Sequence, residues 1–181
     1  MTVRADEASA ALADIEAIAR RVKQSAIYRV SGVILMGWGP LIVIGNVCEL
    51  FAGRWTIPVW AALDLFGAAM TVALIARANR GRGAPWLQIH AFALFFAFGL
   101  AWSGPLGRFT PRQDDAFWPM LFLFGYSLAG LFFGRAFVWL GLGLGALVLA
   151  GYIWAGESYN LYLAAVNGGG FILCGYWMRR A

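Results

Sequence analysis

The residue with the clearest capacity for chemistry is Asp64, which lies within the apolar run of residues 55–76. A carboxyl group inside such a run is costly unless it is neutralised, paired or hydrated. Asn46 and Asn167 are side-chain amides at similar positions along their own apolar runs. At a helical rise of about 1.5 Å per residue, depths from one end are roughly 18 Å for Asp64, roughly 17 Å for Asn167 and roughly 24 Å for Asn46. The three residues are therefore predicted to form one polar layer, the candidate site for a ligand or an ion.

Two roles are open for this polar layer. In the first, Asp64 is a protonatable or cation-binding carboxylate that faces a polar cavity. In the second, its carboxyl group stays protonated and hydrogen-bonds to Asn46, Asn167 or Trp60, which would hold helices together. A cavity that reaches Asp64 would favour the first role, and a dry contact between helices would favour the second.

The three consecutive glycines at 168–170 lie next to Asn167 in the sequence. Glycine is unfavourable in a helix by about 1 kcal/mol relative to alanine, so three together permit an unwound turn. Broken helices of this kind occur at the midplane sites of transporters. Close packing against a neighbouring helix is the alternative explanation for the same residues.

His90 is the secondary candidate, because an imidazole can gain or lose a proton near neutral pH. It lies near the start of its predicted helix, about 12 Å from Asp64 in depth, so a direct relay between them is not expected. Either it forms a hydrogen bond with Gln88 at the membrane interface, or it senses pH.

Other ionisable residues are expected at the outer ends of the helices. Glu49 is predicted to pair with Arg54. Arg108, Arg112, Asp114 and Asp115 are predicted to form a mixed-sign outer loop. Exposed pairs of this kind contribute little to stability.

The sequence carries no pattern typical of catalytic or cofactor sites. Serine-hydrolase, zinc-protease, phosphate-loop and dinucleotide fingerprints do not occur. One histidine and two cysteines do not make a metal or haem ligand set. Cys48 and Cys174 fall near opposite ends of the predicted helices, so they are expected to be separate buried thiols. We therefore expect no enzyme, no metal site and no cofactor.

The elements that position these residues are membrane-spanning helices. The chain is 61% hydrophobic and 13% charged, against about 45–50% and about 25% in soluble domains. This composition excludes a water-soluble globule and a disordered chain. A span needs about 20 apolar residues, and the fold class predicted is all-α with six spans in three antiparallel hairpins. The spans lie near residues 30–50, 57–76, 86–106, 117–134, 136–155 and 160–178.

The basic residues predict the topology. Eleven of the 14 Lys and Arg residues fall on one side of the predicted spans, and basic flanks are retained in the cytoplasm. Both termini are therefore predicted to be cytoplasmic, in an inner (plasma) membrane of bacterial type. The expected partners are the lipid bilayer and either a second copy or another membrane protein. Nucleic acid is not expected, because the basic residues form no single patch.

Residues 1–29 differ in composition from the transmembrane domain predicted at 30–181. Leu12, Ile15, Ile18 and Val22 recur at helical spacing, with acidic residues early and basic residues late. The pattern predicts an amphipathic cytoplasmic helix. It either lies on lipid headgroups or caps the bundle, or it serves dimerisation or docking of a partner.

The three predicted hairpins share residues at equal spacings. In the second helix of each hairpin the matched residues are Trp60, Gly67 and Arg77; Trp118, Gly125 and Arg135; and Tyr162, Gly169 and Arg179. In the first helix they are Gly37, Gly39 and Gly45; Ala91, Ala93 and Gly99; and Gly143, Gly145 and Gly151. Three copies of one hairpin would explain these spacings. Close packing of small residues would also explain them.

This pattern resembles the HdeD-like family of small bacterial inner-membrane proteins, over about residues 30–178. The resemblance implies six helices in repeated glycine-containing hairpins, an acid-stress-associated or less defined membrane role, and no catalytic residue. The first functional hypothesis is a non-enzymatic protein with a structural, stress-response or regulatory role. The alternative is a small permease or proton-coupled transporter that uses the layer of Asp64, Asn46 and Asn167.

Overall fold

The computed structural model describes residues 5–79 and 86–180, and every regular element in these two ranges is helical. The long helices are α1 (Ala5–Ala52), α2 (Thr56–Ala78), α3 (Trp86–Ala101), α4 (Pro111–Phe133) and α5 (Arg135–Trp154). The remainder consists of α6 (Tyr159–Leu163) and α7 (Gly169–Arg180), joined by a π-helical turn at Ala164–Gly168. A second π-helical turn, Trp102–Leu106, extends α3. The all-α class is confirmed.

Five stretches of the described helices are long and apolar enough to cross a membrane. The first, Ala10–Ala78, contains both α1 and α2. A short 3₁₀ turn at Gly53–Trp55 separates these helices, and its first residue has φ of 50°, which glycine adopts without strain. Because α1 and α2 pack against each other, this turn reverses the chain within the first stretch.

The amphipathic segment at the start of the chain is not a separate helix. α1 is continuous over 48 residues, a length of about 72 Å, whereas the hydrocarbon core of a bilayer is about 30 Å thick. Residues 5–31 contain no glycine or proline, so no residue interrupts the helix there. The apolar positions Leu12, Ile15, Ile18 and Val22 are exposed. Their predicted cytoplasmic location stays a prediction.

A close backbone contact joins α1 to α7 through four glycines, which we call the glycine seam: Gly32 and Gly39 on α1, and Gly168 and Gly175 beside or within α7. Gly32 faces Gly175 and Gly39 faces Gly168, so the two helices are antiparallel. A Cβ atom added to Gly39 would lie 2.7 Å from the carbonyl oxygen of Gly168. Small residues allow such backbone contact, which supplies packing where lipid provides no hydrophobic drive.

The turn between α4 and α5 is held by Tyr28 from α1. The Tyr28 hydroxyl accepts hydrogen bonds from Gln24 Nε2 at 2.9 Å and from the backbone N–H of Ala136 at 3.5 Å. Its ring packs edge-on against Phe137. Gly134, in the turn, has φ of 133°, and a Cβ there would collide with Tyr28. The first half of α1 is therefore joined to the turn between α4 and α5.

The helices follow one another around the bundle in the order α2, α1, α7, α5, α4 and α3. α1 packs against α2 and α7, and α4 packs against α5. α3 contacts α4 through aromatic rings: Phe92, Phe95 and Phe96 against Trp118 and Phe122. The buried core lies among α1, α4, α5, α6 and α7, with α2 and α3 at the two ends of the order.

In each predicted hairpin, an aromatic ring lies against a glycine at matched positions of the predicted repeat. The pairs are Trp60 with Gly45, Trp118 with Gly99, and Tyr162 with Gly151. In each pair the ring lies on the second helix of the hairpin and the glycine on the first. Each of these glycines has no Cβ atom and therefore leaves room for the ring of its partner. These contacts explain the spacing of the motif by packing between paired helices.

Candidate ligand cleft

A cleft of about 570 Å³ lies between the two ends of the helix order, α2 and α3. This volume is within the range of about 300–1,000 Å³ that is typical of small-molecule sites. Side chains from α1, α2, α3, α4, α6 and α7 line it, together with the π-helical turns. Its polar and aromatic lining includes Trp38, Asn46, Glu49, Trp60, Asp64, Phe92, Ser103, Asp114, Asp115, Trp118, Phe122, Tyr126, Asn167 and Phe171.

All three residues of the predicted polar layer line this cleft. Asn46 comes from α1, Asp64 from α2 and Asn167 from the π-helical turn that precedes α7. Asn46 and Asn167 are 5% and 4% exposed, and Asp64 is half-buried. Asn167 is about a hundred residues from the other two in sequence, so helix packing brings the three side chains to one cavity.

The hydrogen bonds predicted for Asp64 as a link between helices are not formed. Asn46 Nδ2 donates to the carbonyl oxygen of Ile42 on its own helix at 2.9 Å. Trp60 Nε1 donates to Glu49 Oε2 at 3.1 Å. Asn167 does not bond to Asp64 either, so Asp64 makes no hydrogen bond within the described ranges. Its carboxyl group faces the cleft, which favours the first of its two predicted roles.

Asn167 carries a buried acceptor without a donor. Its Oδ1 atom has no hydrogen-bond partner among the described residues. A buried polar atom left unpaired costs about 1–3 kcal/mol, so a donor that enters the cleft would gain by bonding to it. Asn167 belongs to the π-helical turn Ala164–Gly168, and such turns are frequent at functional sites.

The glycines at 168–170 lie in a continuous helix, so the unwound turn that they would permit is absent. The helix is distorted here, as a π-helical turn that ends at Gly168. Close packing is present as well, because a Cβ on Gly168 would meet Val43 of α1 and a Cβ on Gly170 would meet Leu144 of α5. The same residues therefore shape the cleft wall and join α7 to its neighbours.

Three further carboxyl groups line the cleft, and the sequence interpretation did not place them there. Glu49 accepts a hydrogen bond from Trp60, and Asp115 lines the same cleft. Asp114 accepts a hydrogen bond from the Ser103 hydroxyl. With Asp64, the cleft is therefore lined by four carboxyl groups.

A signal for Asp114 and Asp115 was present in the sequence. Thr110 and Gln113 form a capping box, and Pro111 occupies the first position of α4. These residues start the helix before the two aspartates, so Asp114 and Asp115 belong to its first turns. The prediction of a mixed-sign outer loop is therefore wrong for them.

Arg112 points away from the carboxyl groups. Its guanidinium donates to the carbonyl oxygen of Tyr152 at 2.7 Å and lies over the rings of Tyr152 and Tyr159 at 5.3 and 5.5 Å. Arg112 thereby joins α4 to the end of α5.

The predicted pair of Glu49 with Arg54 is also absent, since Arg54 lies over Trp55. Among the described residues that line the cleft, none is Lys, Arg or His.

His90 lies outside the cleft lining and is exposed. Its Nδ1 atom is 2.7 Å from the carbonyl oxygen of Trp86, so this nitrogen carries the proton and donates it. The side chain of Gln88, its predicted partner, lies outside the described residues. Cys48 and Cys174 are free thiols and both are half-buried.

The arrangement can attract a cation and hold it between carboxyl groups and aromatic faces. Two groups of polar residues contribute: Asp64, Asn46 and Asn167, and the carboxyl groups of Glu49, Asp114 and Asp115. In the part of the chain that the structure describes, no three His, Cys, Asp or Glu residues are placed to hold a metal ion.

Comparisons with protein-family models, curated proteins and solved structures found no match.

Proposed function

We propose that this protein is a small membrane permease whose substrate path is the acidic cleft. The observation that carries the proposal is a cavity of about 570 Å³ that reaches Asp64, an ionisable residue on an apolar helix. Ionisable residues in such helices mark ion, proton or substrate pathways when they face a cavity. The structural or stress-response role predicted first needs no such cavity, so the cleft favours the permease.

Coupling to protons is part of this proposal. The carboxyl group of Asp64 makes no hydrogen bond in the described ranges, so it is available to a proton or to a cation. Occupation by one would exclude the other, which is the basis of exchange between them. The other titratable groups of the lining are Glu49, Asp114, Asp115 and Tyr126.

The proposed arrangement has six crossings, with both termini in the cytoplasm. The Gly53–Trp55 turn divides the first apolar stretch into two packed helices, which raises five stretches to six crossings. Arg29 and Arg179 border one groove at the end of the bundle where α7 finishes. Glu49, near the end of α1, and Asp114, at the start of α4, mark the opposite end. The cleft would therefore open to the outside.

The proposed hairpin repeat, and with it the resemblance to the HdeD-like family, is supported by the three matched contacts between a ring and a glycine. Transporters are often built from repeats whose broken helices form the midplane site. Here the π-helical turn with Asn167 interrupts the last repeat.

Thiol labelling tests the proposed path without knowledge of the substrate. In a background with Cys48→Ala and Cys174→Ala, Asp64→Cys should react with a charged, membrane-impermeant methanethiosulfonate added from outside. The matched control is Leu65→Cys, because Leu65 is 74% exposed on the surface of the same helix. It should stay unlabelled in hydrocarbon, where the thiolate does not form.

The labelling experiment also tests orientation. Labelling of residue 64 from inside only would reverse the proposed topology. Equal absence of labelling at residues 64 and 65 would show a dry cleft and would overturn the permease proposal.

A further inference from the structure

We infer that the cleft binds a protonated amine that carries an aromatic or similarly apolar body. This inference rests on the proposed function and assigns its substrate class. Four carboxyl groups, several aromatic faces and one free buried acceptor line the same cavity. Each feature selects a different part of the ligand: its charge, its body and its N–H donors.

The charge of the ligand follows from the ionisable residues. Glu49, Asp64, Asp114 and Asp115 line the cleft, and none of the described lining residues is basic. Arg112, the nearest candidate to neutralise them, donates to Tyr152 instead. An anion would be repelled, and a neutral ligand without a donor would leave the carboxyl group of Asp64, which makes no hydrogen bond in the described ranges, desolvated without a partner. A cation would be attracted by the carboxyl groups and would supply the missing partner.

The body of the ligand follows from the aromatic residues between the two groups of acids. Trp60 is held by its bond to Glu49 and by the seat that Gly45 provides for its ring. Trp118 stacks on Phe122 with ring centroids 6.3 Å apart. Fixed aromatic faces attract organic cations and cover apolar groups. A small hydrated metal ion would gain little from them, because hard ions prefer several oxygen ligands.

The N–H donors of the ligand follow from Asn167. Its side chain is 4% exposed and its Oδ1 atom is unpaired among the described residues. A protonated amine supplies the missing donor, whereas a quaternary ammonium ion has none. Asp64 lines the same cavity and would neutralise the charge of that amine. The pair of Asp64 and Asn167 therefore defines the ammonium end of the bound ligand.

Binding of three matched compounds to the full chain in nanodiscs tests this inference. The compounds are 1-naphthylmethylamine, 1-naphthalenemethanol and 1-naphthaleneacetate, which share one ring system and differ in charge. Equilibrium dialysis against empty nanodiscs should show saturable binding of the amine and only lipid partitioning of the other two. Methylammonium, which lacks the ring, should bind at least about tenfold more weakly than the amine.

Two variants and one control locate the binding. Asp64→Asn should weaken amine binding by about tenfold. If this variant does not fold, the double variant Glu49→Gln with Asp115→Asn should lower the affinity instead. Glu157→Gln, an exposed carboxyl group outside the cleft lining, should leave it unchanged.

Equal saturable binding of the alcohol and the amine would overturn the inference, as would unchanged affinity in every cleft variant that folds. These failures are distinct from failure of the permease proposal. If Asp64→Cys is labelled from outside but the amine does not bind, the substrate class is wrong and the path remains. If residue 64 is not labelled, the path itself is wrong.

Discussion

The two sides of the bundle pack by different means. On one side, the glycine seam brings the backbones of α1 and α7 into contact. On the other side, indole and phenyl rings lie between helices: Trp38 and Trp60 between α1 and α2, and Trp118 between α3 and α4. Glycine allows backbones to touch and leaves no cavity, whereas rings act as spacers. The cleft lies on the side that is built from rings.

The residues that stabilise the fold and the residues of the proposed binding site also lie on different sides. The side with the glycine seam contains most of the buried apolar side chains, including Leu35, Leu144 and Val148. The cleft side carries the carboxyl groups and the unpaired oxygen of Asn167. Substitutions on the first side should therefore act mainly on folding, and substitutions on the second side mainly on binding.

The largest effect is expected in the glycine seam. Gly39→Ala adds a Cβ atom that meets the backbone of Gly168 and the Ile172 side chain, neither of which has room to move. We expect a loss of about 2 kcal/mol in the free energy of unfolding. Denaturation of purified protein in mixed micelles, followed by circular dichroism, measures it.

The matched control for this substitution is Gly143→Ala, because a Cβ at Gly143 meets no atom within 4 Å. Alanine has the higher helix propensity, so the control should gain up to about 1 kcal/mol. Similar losses in both variants would show that glycine acts on this helical protein through something other than the seam.

A smaller effect is expected at Tyr28, where α1 meets the turn between α4 and α5. Tyr28→Phe removes the acceptor for the N–H of Ala136 and for Gln24, and it keeps the ring contact with Phe137. The expected loss is about 1 kcal/mol in the same unfolding assay. Tyr176→Phe, at an exposed tyrosine, should be neutral. An unchanged stability of Tyr28→Phe would show that these hydrogen bonds do not hold the turn.

The smallest effect on stability is expected for Asp64→Leu. The carboxyl group has no hydrogen bond in the described ranges, so none is lost, and stability should stay within about 0.5 kcal/mol. Amine binding should nevertheless weaken by at least about tenfold, because the charge is removed. A loss of about 1 kcal/mol or more would instead show that Asp64 links helices, as in the second of its predicted roles.

Much of the fold could be predicted because the signals are local. Apolar runs of about 20 residues require helices in a bilayer, and the helices lie where those runs predict them. α1 continues without interruption across residue 29, where the composition changes, because no glycine or proline lies there to end the helix. The polar layer was predicted by counting residues, because helical rise converts position into depth, and its three residues line one cleft.

The partners of the carboxyl groups could not be predicted in this way. Glu49 has Arg54 five residues away in sequence, yet it accepts a hydrogen bond from Trp60. Which of several possible partners a side chain meets depends on the rotation of each helix about its axis. That rotation is set by contacts between distant residues, such as Gly39 with Gly168.

The sequence by itself determined that the chain is helical and apolar, and which residues are polar at the depth of Asp64. It did so because hydropathy and helical rise are properties of a single segment. Only the tertiary structure decided that these residues line a cavity with four carboxyl groups and no basic residue among the described lining. The reason is physical: a cavity is the space that packing leaves over, and it depends on how six segments fill one volume.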